Sequence, residues 1–134
     1  MKWHQVLQAA SDLAAATPAL ANIYGADGFR YAGTSPYVTP ALEHQLVADG
    51  EDELWAVCTI QFDQWCRTME DLLASEHQLR LLFHVETQRD YAGMPCWSQY
   101  NDGETLASPD RDGAFGRAIR FRMSTLRERY APNP

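Results

Sequence analysis

Cys58, Asp63 and Cys66 fall within one short stretch, CTIQFDQWCRTMEDLL, at residues 58–73. Two thiols and a carboxylate are the raw material of a zinc site or of thiol redox chemistry. A dedicated zinc site takes four ligands and usually supplies two of them at spacings of about two to four residues. Here seven residues separate the cysteines, and the chain holds no C-x-x-C and no H-x-x-x-H pair. The same stretch reads as a strand running into a helix, with Cys58 on an apolar strand face where a free thiol behaves as a small hydrophobe. That architectural reading is the stronger one. His4, His44, His77 and His84 show no paired spacing. Asp63, Glu70 and Asp71 could act as a carboxylate pair, but acids at a helix start are favoured by the helix dipole alone. No G-x-S-x-G and no glycine-rich strand-to-helix loop is present. The sequence therefore points away from an enzyme, and neither a cofactor nor a metal is expected.

The elements that would position these residues follow from periodicity. Trp3, Val6, Leu7, Ala10, Leu13 and Ala14 form one apolar stripe at helical spacing, with Pro18 beyond its end. GADGFRYAGTSP, residues 25–36, reads as a loop with a short extended piece at Phe29 to Tyr31. Residues 37–47 and 53–65 read as a hairpin whose turn is the Asp49-Gly50 dipeptide. In the second arm Leu54, Ala56, Cys58, Ile60 and Phe62 share one apolar face. Thr68 with Asp71 three residues on marks a helix start, and Met69, Leu72, Leu73, Leu79 and Phe83 then share one side of it. A short strand near Met94 to Tyr100 precedes a polar loop, NDGETLASPDRDG. Phe115, Ile119, Phe121 and Met123 then line one face of a long closing strand. The expected fold is one α+β domain over residues 1–134. Its core would be a four-stranded, mostly antiparallel sheet with two helices on one face, in the order helix, hairpin, helix, hairpin.

Composition narrows the class further. The 134 residues are 46% hydrophobic and 22% charged, with a net charge of −7, which argues against a general nucleic-acid binder. Three cysteines, an odd number, argue against a disulfide framework and for a reducing compartment. No long apolar run suits a membrane span, and the N-terminus is a poor signal peptide. Charge is unevenly placed. Six of the eleven basic residues are Arg111, Arg117, Arg120, Arg122, Arg127 and Arg129, while Asp49, Glu51, Asp52 and Glu53 cluster at the hairpin tip. Asp102, Glu104, Asp110 and Asp112 add a second acidic cluster in the late loop. Three readings stay open. The arginines form a solvated strand face that discourages edge pairing, or Arg117, Arg120 and Arg122 meet the acidic tip of a neighbouring subunit, or they touch nucleic-acid phosphates.

LWAVCTIQFDQWCRTMEDLLASEHQLRLLF resembles the second core strand and following amphipathic helix of phage tail terminator (tail completion) proteins, with Trp65 as the closing aromatic. DRDGAFGRAIRFRMSTLRERY resembles their closing strand, and SPYVTPAL their extended segment after the first helix. The resemblance implies a hexameric ring at the head-proximal end of the tail tube. Such a ring stops tube polymerisation and presents the docking surface for the head-neck connector proteins. DNA would pass through its channel without sequence recognition. It implies a virion protein of the tail-neck junction, assembled in the host cytoplasm, with itself and the tail tube protein as partners and no membrane. Head completion, a head-tail adaptor role, or a nucleic-acid-contacting module built on the C-terminal arginine strand are the alternatives.

Overall fold

β3 (Trp55–Cys66) and β6 (Phe115–Leu126) carry the clearest apolar alternation, and they form the centre of the sheet. They pair antiparallel along their whole lengths, from Trp55 opposite Leu126 to Cys66 opposite Phe115. Ala56, Cys58, Ile60 and Phe62 of β3 share a face with Ile119, Phe121 and Met123 of β6, and all seven are buried. β2 (Ala41–Glu51) flanks β3, and β5 (Met94–Leu106) flanks β6. The computed structural model describes residues 2–127, so Arg129 lies outside the described residues.

The expected four strands and two helices do not hold. The sheet is curled and has six strands in the order β1-β2-β3-β6-β5-β4, and three α-helices accompany it. It is mixed, because β1 (Phe29–Tyr31) runs parallel to β2 while the other pairs are antiparallel. β1 and β4 (Arg89–Tyr91) have three residues each, too few to show a period of two. The extra helix is α2 (Pro18–Tyr24), which follows α1 (Trp3–Ala15) closely. Pro18 sits in its first turn, where a missing N–H is no loss, so this proline opens a helix as well as following one.

The acids and the turn are also placed differently from expectation. Asp102 and Glu104 lie within β5, not in a loop, opposite Arg120 and Ala118. Asp49 and Gly50 are strand residues opposite Cys58 and Val57. The turn lies further on, at residues 52–54, because Asp52 builds it. Its Oδ1 accepts from the N–H groups of Leu54 at 2.9 Å and Trp55 at 2.7 Å, while its own N–H donates to the Trp55 carbonyl at 2.9 Å.

α3 (Met69–Phe83) starts where the sequence indicates: Thr68 Oγ1 accepts from the Asp71 N–H at 3.1 Å. The helix runs unbroken and lays Leu72, Ser75, Leu79 and Phe83 onto the sheet. Phe83 stacks on Phe62 at 5.3 Å between ring centroids and packs on Phe121 at 5.4 Å. A large apolar side chain buried this way contributes about 1.5–3 kcal/mol. α1 adds Trp3, Val6, Leu7, Ala10 and Ala14 to the same core, and α2 adds Leu20 and Tyr24. The Tyr24 hydroxyl lies 2.5 Å from Ser75 Oγ, tying α2 to α3. α1 touches both β2 and β4. Its length, roughly 20 Å, matches the four strand spacings between them. Two residues expected on the buried side of α3 are out in solvent: Met69 is 48% and Leu73 61% exposed.

Candidate functional site

Strand alternation divides the candidate residues between two faces of the sheet. Arg117 stands opposite Gln64 on the helix-covered face. There its Nε donates to Glu76 Oε1 of α3. Arg120 and Arg122 point to the other face. A charge-paired ladder crosses four strands there. Gln45 Nε2 of β2 donates to Asp63 Oδ2 at 3.0 Å, and Gln61 Nε2 donates to Asp63 Oδ1 at 2.6 Å. Arg120 Nε then donates to Gln61 Oε1 at 2.8 Å, and its terminal nitrogens reach Asp102 at 3.3 Å and Glu104 of β5. The hydrogen bond that the guanidinium donates to Glu104 is the main reason its pKa rises still further above the usual value. Asp63 is buried in this ladder, and burial pushes its carboxyl above the usual carboxylate range despite the two amide donors.

A second buried pair closes one end of the same face. Arg111, from the short 3₁₀ turn Pro109–Arg111, binds Glu43 of β2, and both side chains are almost fully buried. Its guanidinium also donates to the Val38 carbonyl at 2.8 Å and lies 4.7 Å over the Trp65 ring and 4.6 Å over that of Tyr37. Gly116, opposite Trp65, leaves the room this stack needs: a Cβ there would come 2.4 Å from Trp65 Cζ3. Arg111 is therefore a structural arginine and not part of a solvated basic strip.

The acidic tip forms a corner of the sheet. Residues 47–54 are exposed throughout, with Val47 and Leu54 as apolar ends around Asp49, Glu51, Asp52 and Glu53. β1 covers β2 only from Leu42 to His44, so the outer edge of β2 beyond it is not paired with a strand among the described residues. Arg127 Nε lies 3.4 Å from Glu51, and its Nη1 donates to the Asp52 carbonyl at 2.8 Å. The two backbone donors chiefly hold the Asp52 carboxyl below its usual range, and the charges of Arg122 and Arg127 add to this. The acidic corner and the end of the arginine strand are thus neighbours within one chain. Arg122 is exposed and makes no ion pair among the described residues.

The cysteines lie away from solvent in this arrangement. All three are free and buried. Burial pushes the Cys96 thiol up to about 12 and raises those of Cys58 and Cys66, so the reactive thiolate is suppressed. Among the described residues no three His, Cys, Asp or Glu side chains are grouped to hold a metal ion, and no helix is long and apolar enough to cross a membrane. The ladder through Gln45, Gln61 and Asp63 has one sequence signal, the run of polar residues on alternate positions of β3. The Glu43–Arg111 pair spans 68 positions and has none.

No model of a known protein family matches the chain, and no curated protein matches it either.

Proposed function

We propose that this chain is a structural virion subunit. It forms a ring, a hexamer by the resemblance, on the head-proximal end of a phage tail tube, ends tube polymerisation there and offers the head-neck connector its docking surface. The observation that carries the reading is the acidic corner. Eight consecutive exposed residues combine four carboxylates with apolar Val47 and Leu54, beside a strand edge that no strand pairs with among the described residues. A one-sided patch of this kind suits a heterologous contact, which closes into a ring when the rotation permits. The net charge of −7 suits a channel that DNA crosses without being gripped.

The arginines take a smaller part than the sequence implies. Arg117 and Arg120 are engaged by Glu76, Asp102 and Glu104 of their own chain, so Arg122 is the arginine of the three left for a neighbour. The same pairing disfavours a nucleic-acid-contacting module. A head-completion or head-tail adaptor role is the alternative within the same class. The test is to add the protein to polymerising tail tube protein and image the product. Rings at one tube end and arrested growth are expected. Asp49→Lys, a change away from the turn-building Asp52, should abolish the rings while leaving the melting temperature within about 2 °C, as surface changes do. Unaltered tube growth with bare ends would refute the tail-tube assignment. Rings that bind only connector protein would move the chain to the adaptor role.

A further inference from the structure

The outer face of α3 is not accounted for by the ring reading. Met69, Leu73, His77 and Leu81 follow one another at intervals of four and make a single exposed ridge along the helix. Met69, Leu73 and Leu81 are 48%, 61% and 58% exposed, unusual for large apolar side chains in one row. Two hollows lie beside the ridge. One, of about 490 Å³, is lined by Leu73, Leu106 and Phe115, and the other, of about 350 Å³, by Leu81, His84 and Tyr100.

The charges flanking the ridge are arranged by end. Glu70 is exposed at the N-terminal end and makes no ion pair among the described residues. Arg80 lies near the C-terminal end, 3.8 Å over the Tyr100 ring and 3.6 Å from Glu76. Glu76 is shared with Arg117, so this cluster keeps an excess positive charge. One helix therefore carries acid at one end of an apolar ridge and base at the other.

We infer that this ridge is a self-association surface on which a second copy of the chain packs its own α3 antiparallel. A two-fold axis crossing the ridge midway between Leu73 and His77 sets Met69 against Leu81 of the second copy, Leu73 against His77, and Glu70 against Arg80. Met69 then meets Leu81 twice and Glu70 meets Arg80 twice, with Leu73 packed on the His77 ring, as an isologous contact requires. The occupant is a second copy because the ridge complements its own reverse. The hollows beside it receive the facing leucines. A lone helix pair is small against the roughly 1,600 Å² of a standard interface, so association is weak and shows at high micromolar concentration. The contact is separate from the acidic corner and goes beyond the ring reading, since a two-fold contact closes at two copies.

Sedimentation equilibrium of the full chain tests this. A reversible dimer is expected for the natural sequence. Glu70→Arg alone and Arg80→Glu alone should each weaken it about tenfold, from two facing pairs turned repulsive. An equimolar mixture of the two should regain the dimer, because arginine at 70 then faces glutamate at 80. Leu73→Lys, which changes a highly exposed residue, should also dissolve the dimer with an unchanged melting temperature. A natural chain that stays monomeric overturns the inference, as do single variants that associate normally or a mixture that associates no better than its components. A monomer whose Leu73→Lys variant fails to cap tubes would assign the ridge to the tube protein instead. Rings on tubes are read separately by imaging, so either reading can fail while the other stands.

Discussion

Replacing Glu43 by Gln keeps the side chain's shape and removes the one carboxylate that binds Arg111 among the described residues. The Arg111 guanidinium is then left charged and almost fully buried between the Trp65 and Tyr37 rings, with the Val38 carbonyl still accepting from it. Breaking a buried pair from one side costs about 3–5 kcal/mol, because the surviving charge has lost both water and partner. A domain of this size has a total stability of roughly 7–20 kcal/mol, so the loss is a large share. For a urea slope near 2 kcal/mol per molar, the unfolding midpoint falls by about 2 M. Arg111→Met should cost a similar amount by stranding Glu43. The double variant Glu43→Leu with Arg111→Met should lie close to the natural chain, since an apolar replacement of a whole buried pair is often neutral. Urea unfolding followed by tryptophan fluorescence, in the natural chain and all three variants, measures each term. Losses below about 1 kcal/mol in both single variants would show that the pair behaves like an exposed one. A double variant as unstable as the singles would show that packing, not stranded charge, sets the cost.

Three further outcomes follow from Asp63, His44 and Gly116. Asp63 has its pKa raised by burial, so the folded state binds its proton more readily than the unfolded chain does. Its contribution to stability therefore grows as pH falls through the raised value and is complete by the ordinary value of 3.8. Asp63→Asn should be nearly neutral at pH 7, and the natural chain should gain on it as the solution is acidified. A constant difference across the titration would refute this. His44 works in the opposite sense: burial lowers its pKa, so its contribution is lost as pH falls below 6.5, and His44→Gln should remove that part of the acid slope. Gly116→Ala should destabilise by about 1–3 kcal/mol, because its Cβ meets the Trp65 ring and the Leu106 carbonyl, and a shifted Trp65 emission should accompany it.

The elements legible in the sequence were those whose signal is local and repeated. β3 and β6 show a period of two over twelve residues each, and Thr68 announces α3 through a cap that the structure forms. β1 was legible only as a short extended piece, at the residues Phe29 to Tyr31 that it occupies; β4 and α2 were not legible, because a three-residue strand has no period and a proline marks a helix start as readily as a stop. The second half of β5 has a loop-like composition because its acids face solvent and Arg120, and this masks its alternation. The Asp49-Gly50 dipeptide is the stronger turn signal in the sequence, but the turn forms at Asp52, whose side chain caps it. The candidate site suffered most from distance. Parity along β6 separates Arg117 from Arg120 and Arg122, and this was readable. That Glu76 and Glu43 would claim Arg117 and Arg111 depends on packing across 41 and 68 positions.

The three buried thiols give the molecule its own opening clock. Cys58 sits in the sheet centre, Cys66 where β3 hands over to α3 beside Tyr24, and Cys96 where β5 meets β4. None presents a thiolate to solvent in the closed state, so an alkylating reagent can mark each one only after its surroundings part. The order in which the three acquire label, read by mass spectrometry, ranks how often the central strand, the strand-to-helix junction and the outer strand pair come apart. No substitution is needed to obtain that ranking.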